Sequence, residues 1–312
     1  MLDRMERTMH FDVVAEDLQF PEGPIAMSDG SVLLVEIRRQ TLTRIGPNGQ
    51  RTTVAEIEGG PNGAAIGPDG AVYICNNGGF EWVKLPDGHI TTEGFAPAGY
   101  RSGSIQRVDL KTGSVRTLYT ECDGRPLRGP NDLVFDQDGA MWFSDPGKVS
   151  KESIHHGHLL YARPDGSLIR RVRDRMMTPN GVGLSPDQKT LYVAETLTSR
   201  MYAFEISGPG ELAPSDGSWL RGIYGPLPGK QMLDSLKVEA GGAICIGTLI
   251  HGGITVFMPD GRTEHVELPD HSVTNLCFGG PDMRDVWVTG SATGRLFKGR
   301  WPRPGLKLNY NA

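Results

Sequence analysis

Long apolar runs are missing from this 312-residue chain. None approaches the roughly 20 residues needed to cross a bilayer, so a membrane partner is not expected. Cysteine is scarce: Cys75, Cys122, Cys245 and Cys277 lie far apart. That spacing argues against a disulfide framework or a thiolate zinc site and for reduced core cysteines in a cytosolic protein. There is no basic stripe. Net charge is -5 with both signs interspersed, which excludes nucleic acid as the expected partner. The first residues, Met1-Leu2-Asp3-Arg4-Met5-Glu6-Arg7, contain no apolar segment, so no secretory signal is read and a cytoplasmic location is expected. A Gly-x-Ser-x-Gly nucleophile elbow is also lacking, which disfavours a serine hydrolase.

Glycine and proline, in contrast, are plentiful. The 42 Gly and 22 Pro fall between short apolar runs, the distribution of an all-β chain with many turns. One polar motif recurs: Phe20-Pro21-Glu22-Gly23-Pro24, Gly60-Pro61-Asn62-Gly63, Gly129-Pro130-Asn131-Asp132, Thr178-Pro179-Asn180-Gly181, Met232-Leu233-Asp234-Ser235 and Val273-Thr274-Asn275-Leu276. A turn follows each at one offset. Gly30, Gly70, Gly139, Gln188, Gly242 and Met283 stand 8 residues after Glu22, Asn62, Asn131, Asn180, Asp234 and Asn275. A constant offset in six copies means one supersecondary unit used six times.

In each unit the apolar run after the motif reads as a first strand and the run after the turn as a second, such as Val32–Glu36, Met141–Asp145 or Leu191–Glu195. A third follows, such as Thr41–Ile45 or Ser104–Val108, and a fourth leads to the next motif. Four antiparallel strands per unit form the blade of a β-propeller. The expected fold is therefore all-β, a single six-bladed propeller over residues 1–312, with an extension at 1–10 and a tail at 301–312. The sixth unit ends near residue 300, and the unassigned strand Phe11–Ala15 is expected to supply its fourth strand and close the ring, removing free edges. Two insertions, 78–103 and 207–231, either decorate the surface or cover a site.

The first strand of a blade lines the central channel, so Glu22, Asn62, Asn131, Asn180, Asp234 and Asn275 should converge at one mouth. The ends of the second strands return there and carry Glu36, Arg38, Asn76, Asn77, Asp145, Lys148, Glu195, Thr196, Thr248, His251, Ser291 and Thr293. Two carboxylates and four amides are hard oxygen donors that suit a divalent cation. Ca²⁺ is favoured; Zn²⁺, Mn²⁺ or Mg²⁺ also fit. Such a cation can polarise a carbonyl oxygen, and a carboxylate beside it can accept a proton from water, which fits hydrolysis of an activated ester. Asp132 follows Asn131, and strand alternation is expected to turn it away from the channel as a structural residue.

At Phe20-Pro21-Glu22-Gly23-Pro24, Pro130-Asn131-Asp132, Trp142-Phe143-Ser144-Asp145-Pro146 and Pro179-Asn180-Gly181 the chain resembles the senescence-marker-protein (regucalcin)/gluconolactonase/luciferin-regenerating-enzyme family, over about residues 11–300. The resemblance implies a six-bladed propeller with one catalytic divalent metal. It implies ligands at Glu22, Asn180 and Asp234, with Asn131 at the metal or the substrate, and Asp234 as general base. Departures are Asp234-Ser235, where many sugar lactonases of the family have Asp-Gly, and Gly129, where members carry an arginine that binds sugar hydroxyls; here Arg128 precedes it. The expected activity is metal-dependent hydrolysis of a lactone, a sugar lactone such as gluconolactone first. Asn131, Asn62, Arg38, Asn77, Asp145 and His251 are the expected substrate contacts. The alternatives are a diisopropyl-fluorophosphatase-like organophosphate hydrolase and a non-catalytic calcium-binding propeller. A homo-oligomer is left open.

Overall fold

The six repeated motifs begin the innermost strands of six sheets in a computed structural model of the chain, which describes residues 4–7, 9–86, 90–214, 223–226 and 231–310. Blade 1 runs Pro21–Ala26, Val32–Glu36, Thr41–Ile45 and Arg51–Glu56. Blade 2 runs Pro61–Ile66, Val72–Asn76, Ser104–Val108 and Val115–Tyr119. Blade 3 runs Leu133–Phe135, Met141–Asp145, Gly157–Ala162 and Ile169–Met176. Blade 4 runs Pro179–Leu184, Thr190–Glu195 and Arg200–Gly208, on which Ile223–Pro226 pairs. Blade 5 runs Met232–Val238, Ile244–Leu249, Ile254–Phe257 and Thr263–Val266. Blade 6 runs Val273–Gly279, Asp285–Gly290 and Arg295–Arg300. Its fourth strand is Phe11–Ala15, antiparallel to Arg295–Arg300, as the repeat count required. The innermost strands pack one on the next around the ring, and blade 6 meets blade 1.

The constant offset has one backbone cause. The residue 8 positions after each motif residue holds a left-handed conformation: Gly30 (φ 81°), Gly70 (74°), Gly139 (80°), Gln188 (57°), Gly242 (85°) and Met283 (57°). Each is the tightening residue of the hairpin between first and second strands, donating its N–H back three residues, as from Gly30 to Met27 and from Gln188 to Ser185. Four copies use glycine, which pays no steric penalty there.

The core is divided among the junctions between blades. Alternate residues of the second strands point to opposite neighbours. Leu33 and Val35 pack toward blade 2, and Val32 and Leu34 toward blade 6. Met141 and Phe143 face blade 2 while Trp142 faces blade 4. Both faces of each sheet are buried, so these strands read as continuous apolar runs instead of alternating ones. All four cysteines are buried and unbridged.

Two terminal features were not legible in the repeat. Arg4–Arg7, inside the N-terminal extension, pairs in parallel with Thr263–Val266 and gives blade 5 a fifth strand. The C-terminal tail crosses the mouth opposite the motifs. Gly305 donates to the Met283 carbonyl, Leu306 to that of Val238, and the Asn309 side chain to that of Phe135. Beneath the tail lies a cavity of about 60 Å³ lined by Ile25, Ala64, Val134, Leu306, Leu308 and Tyr310. Much of the 207–231 insertion lies outside the described residues; the 78–103 insertion carries a hairpin of Trp82–Lys84 and Ile90–Thr92. Among the described residues, no helix is long and apolar enough to cross a membrane.

Candidate active site

The motif sits on an irregularity of the inner strands. Pairing with the second strand shifts between Glu22 and Ile25, Pro61 and Ala64, Pro179 and Val182, and Leu233 and Leu236. In blade 3, Asn131 and Asp132 both answer Ser144, by Asn131 N–H to the Ser144 carbonyl and Ser144 N–H to the Asp132 carbonyl. Such a bulge re-aims a side chain at a sheet end. The glycine that follows the motif residue has a matching cause. A Cβ on Gly23 would lie 2.6 Å from the Asn62 carbonyl oxygen, and one on Gly181 2.7 Å from that of Asp234. Gly63 donates its N–H to the Asn131 carbonyl at 2.6 Å. Between blades 3 and 4 the Ser144 hydroxyl takes over and donates to the Asn180 carbonyl. Between blades 6 and 1 the Ser291 hydroxyl donates to that of Pro21 at 2.7 Å. Each motif of blades 1 to 5 is thus located by the blade before it.

The two carboxylates of the ring are buried together. Glu22 is 2% exposed and Asp234 9%. Burial pushes the Glu22 carboxyl up to about 7. Burial, and then the Glu22 charge, hold Asp234 well above the usual carboxylate range. Beside them, two buried amide oxygens, Asn131 Oδ1 and Asn180 Oδ1, lack a hydrogen-bond partner. Asn180 spends its amide nitrogen on the Thr196 hydroxyl at 3.1 Å, which fixes which end stays free. Two crowded carboxylates and two unpaired acceptors form a pocket of oxygens with a deficit of positive charge. Among the described residues no group of three His, Cys, Asp or Glu could hold a metal ion, so a cation here would be held by carboxylate and amide oxygens, the donor chemistry of Ca²⁺ and other hard ions.

Two neighbours have roles that counting motifs did not assign. Asn275 donates Nδ2–H to Glu22 Oε2 at 2.7 Å, and its own Oδ1 accepts the Leu276 N–H. It orients Glu22. Asp132 does not turn away from the channel as alternation predicted. It is 1% exposed, its Oδ2 lies 3.6 Å from Lys237 Nζ of blade 5, and its charge helps to raise both Glu22 and Asp234. The bulge at Asn131 and Asp132 breaks the two-residue period on which that expectation rested.

Of the other expected contacts, Asn62 is buried in the inner ring. Asn77 is buried; its Oδ1 accepts the Gly79 N–H while its Nδ2 has no partner. Asp145 is spent on shape: its carboxylate accepts the N–H groups of Arg128, Gly129 and Gly147 at 2.7, 2.8 and 3.0 Å. Arg38 is exposed in a groove beside Gln19 and Ser291. His251 is exposed on the turn after the second strand of blade 5, its ring 5.9 Å from that of His265. Lys148 ties the 78–103 insertion to blade 3. Its Nζ donates to the Asn77 and Gly79 carbonyls, both at 2.7 Å, and lies over the Phe80 and Tyr100 rings. Burial draws its pKa down to about 7. Phe20 and Phe80 stand edge-on to Trp82, forming an aromatic rim.

Known proteins are similar to this chain in sequence and fold. A gluconolactonase of Zymomonas mobilis is 24% identical over 86% of this chain and 75% of its own length. A diisopropyl-fluorophosphatase of Loligo vulgaris is 26% identical over 95% of this chain and 94% of its own. The crystal structure of a calcium-binding protein, regucalcin, from Agrobacterium tumefaciens superposes with a TM-score of 0.71 at 18% identity, covering 98% of this chain and all of that one. The family model described as the SMP-30/gluconolactonase/LRE-like region matches residues 20–292, and the chain belongs to that family.

Proposed function

We propose that the protein is a divalent-metal-dependent lactonase. The observation that carries this reading is the buried pair Glu22 and Asp234 flanked by the unpaired oxygens of Asn131 and Asn180. A scaffold gains nothing from two carboxylates that burial and neighbouring negative charge hold above their usual range in a channel mouth. A cation held by Glu22, Asn131, Asn180 and Asp234 relieves that repulsion, and the calcium named for the regucalcin neighbour agrees with the donor set. When bound, such an ion supplies Lewis-acid polarisation of a carbonyl.

The chain's own residues do the rest. Asp234 takes a proton from water as its oxygen adds to the lactone carbonyl carbon. The ring C–O bond breaks, the departing ring oxygen receives the proton, and a hydroxy acid results. Asn275 holds Glu22 in place. Asn62, Asn77, Arg38 and His251 are the groups offered to the substrate, and the aromatic rim around Trp82 shields one side of the mouth. The Zymomonas gluconolactonase makes a sugar lactone the first candidate. The diisopropyl-fluorophosphatase of Loligo vulgaris supports a second reading, in which the same oxygens serve an organophosphate.

The test is proton release from glucono-, xylono- and arabinonolactone, aliphatic lactones and dihydrocoumarin, with diisopropyl fluorophosphate as the further arm. Metal-stripped protein is reloaded with Ca²⁺, Mg²⁺, Mn²⁺ or Zn²⁺. Turnover restored by one metal on one lactone class is expected. Turnover of the fluorophosphate alone replaces this reading with the second, and turnover of nothing by a folded, metal-loaded protein overturns both.

A further inference from the structure

On the motif face, outward from Asn131, blade 3 holds a cavity of about 400 Å³. Its walls are the segment that leads to Asn131, the entry to the third strand of the blade, and the end of the fourth. Four guanidinium groups line it: Arg125, Arg128, Arg171 and Arg175. Two carboxylates oppose them, and both are committed. Asp145 accepts three backbone N–H groups. Asp174 lies 2.9 Å from His158 Nδ1 and 3.5 Å from the Arg171 guanidinium. Among the described residues Arg125, Arg128 and Arg175 form no ion pair. Burial and the Arg171 charge lower the His158 pKa, so that ring adds no proton of its own.

A concave site with this excess of positive charge, on a chain of net charge -5, focuses field and draws anions. Arginine is the side chain that grips carboxylate or phosphate by two parallel hydrogen bonds. The cavity is also close to the reacting centre. Arg128 stands three residues before Asn131, so their Cα atoms are at most about 11 Å apart even in a fully extended chain. The Tyr100 hydroxyl, from the insertion over the mouth, donates to the Arg128 carbonyl and fixes that segment.

We propose that this cavity binds an anionic group on the substrate, so that the lactone turned over best carries a second acidic function, a carboxylate or a phosphate, at the end remote from its ring carbonyl. This rests on the lactonase reading and narrows it: a neutral sugar lactone would leave the arginines unused.

Steady-state rates on gluconolactone (neutral), glucarolactone (carboxylate) and phosphogluconolactone (phosphate) test it, with the metal-loaded wild type and the double variant Arg125→Gln/Arg175→Gln. Both positions are exposed, so the fold should survive. The wild type should favour one acidic lactone over the neutral one by tenfold or more in kcat/KM. The double variant should lose at least tenfold on that lactone through KM and stay within twofold on gluconolactone, and Arg125→Lys/Arg175→Lys should recover part of the loss. Which acidic lactone is preferred identifies the group. Equal rates on neutral and acidic lactones in the wild type, or equal losses on both in the variant, overturn the inference while leaving the lactonase reading standing. If no lactone is hydrolysed, that reading falls, and calorimetric titration with glucarate, inorganic phosphate and the neutral polyol sorbitol decides this one. Binding of glucarate or phosphate, but not sorbitol, that disappears in the Gln variant upholds the anion site. No binding of either overturns it.

Discussion

Glu22→Gln should stabilise the metal-free protein while disabling it. The carboxyl of Glu22 is fully buried, and burial carries its pKa from 4.5 to about 7. At ~1.36 kcal/mol per pKa unit this difference amounts to about 3 kcal/mol of folding free energy. The sign follows from proton linkage: the folded state holds its proton to higher pH than the unfolded chain, so stability is greatest below pH 4.5 and falls as pH rises to about 7. Glutamine keeps the shape, still accepts from Gly23 and Asn275, and carries no charge to bury. In metal-stripped protein the variant should therefore nearly match the wild type at about pH 4, and exceed it by about 3 kcal/mol at about pH 8. For 312 residues at ~2.1 cal/mol/K of unfolding entropy per residue, this is a rise of about 5 °C in Tm. Calorimetry across pH is the assay. Restoring the metal should reverse the order, since only the wild type gains the full binding linkage, about 4.1 kcal/mol at a thousandfold excess over Kd. A metal-free variant no more stable than wild type at about pH 8 would refute the claim that this carboxylate is held ready for a cation at a cost to the fold.

Asp234→Asn should lower turnover by about 10²-fold or more with a folded protein, the share of a lost general base; undiminished kcat on the preferred lactone removes Asp234 from proton transfer. Asn275→Leu deletes the 2.7 Å bond to Glu22 and should weaken metal binding ~10–100-fold, read by titration calorimetry; an unchanged Kd would show that Glu22 needs no orienting partner. Gly63→Ala sets a methyl group against the Asn131 carbonyl and should cost about 1–3 kcal/mol in urea unfolding; a neutral result would mean that the blade 2 to blade 3 contact relaxes freely.

Repetition made most of this fold legible. The position 8 residues after Glu22, and after its five counterparts, is a left-handed turn residue in every blade, so a purely numerical regularity reported a backbone angle. Phe11–Ala15 was readable by subtraction, because a ring of four-stranded blades lacked one strand. What escaped depends on breaks in local periodicity or on contacts remote in sequence. Asp132 was assigned to the wrong side because the bulge opposite Ser144 cancels strand alternation just where the site is built. Asn275 looked like a sixth donor, and only its placement against Glu22, 253 residues away in sequence, shows it as a support. Arg4–Arg7 and the tail carry no copy of the repeat, so nothing periodic announced them.

The tail beneath the channel has a kinetic consequence. Leu306, Leu308 and Tyr310 lie along the far mouth, so on the lactonase reading substrate and product share the motif face. Cation and lactone would then arrive on the side that carries the aromatic rim, and the hydroxy acid would leave by the same face. An anion departing carboxylate and amide oxygens around a cation makes egress, more than bond breaking, the step that would limit throughput.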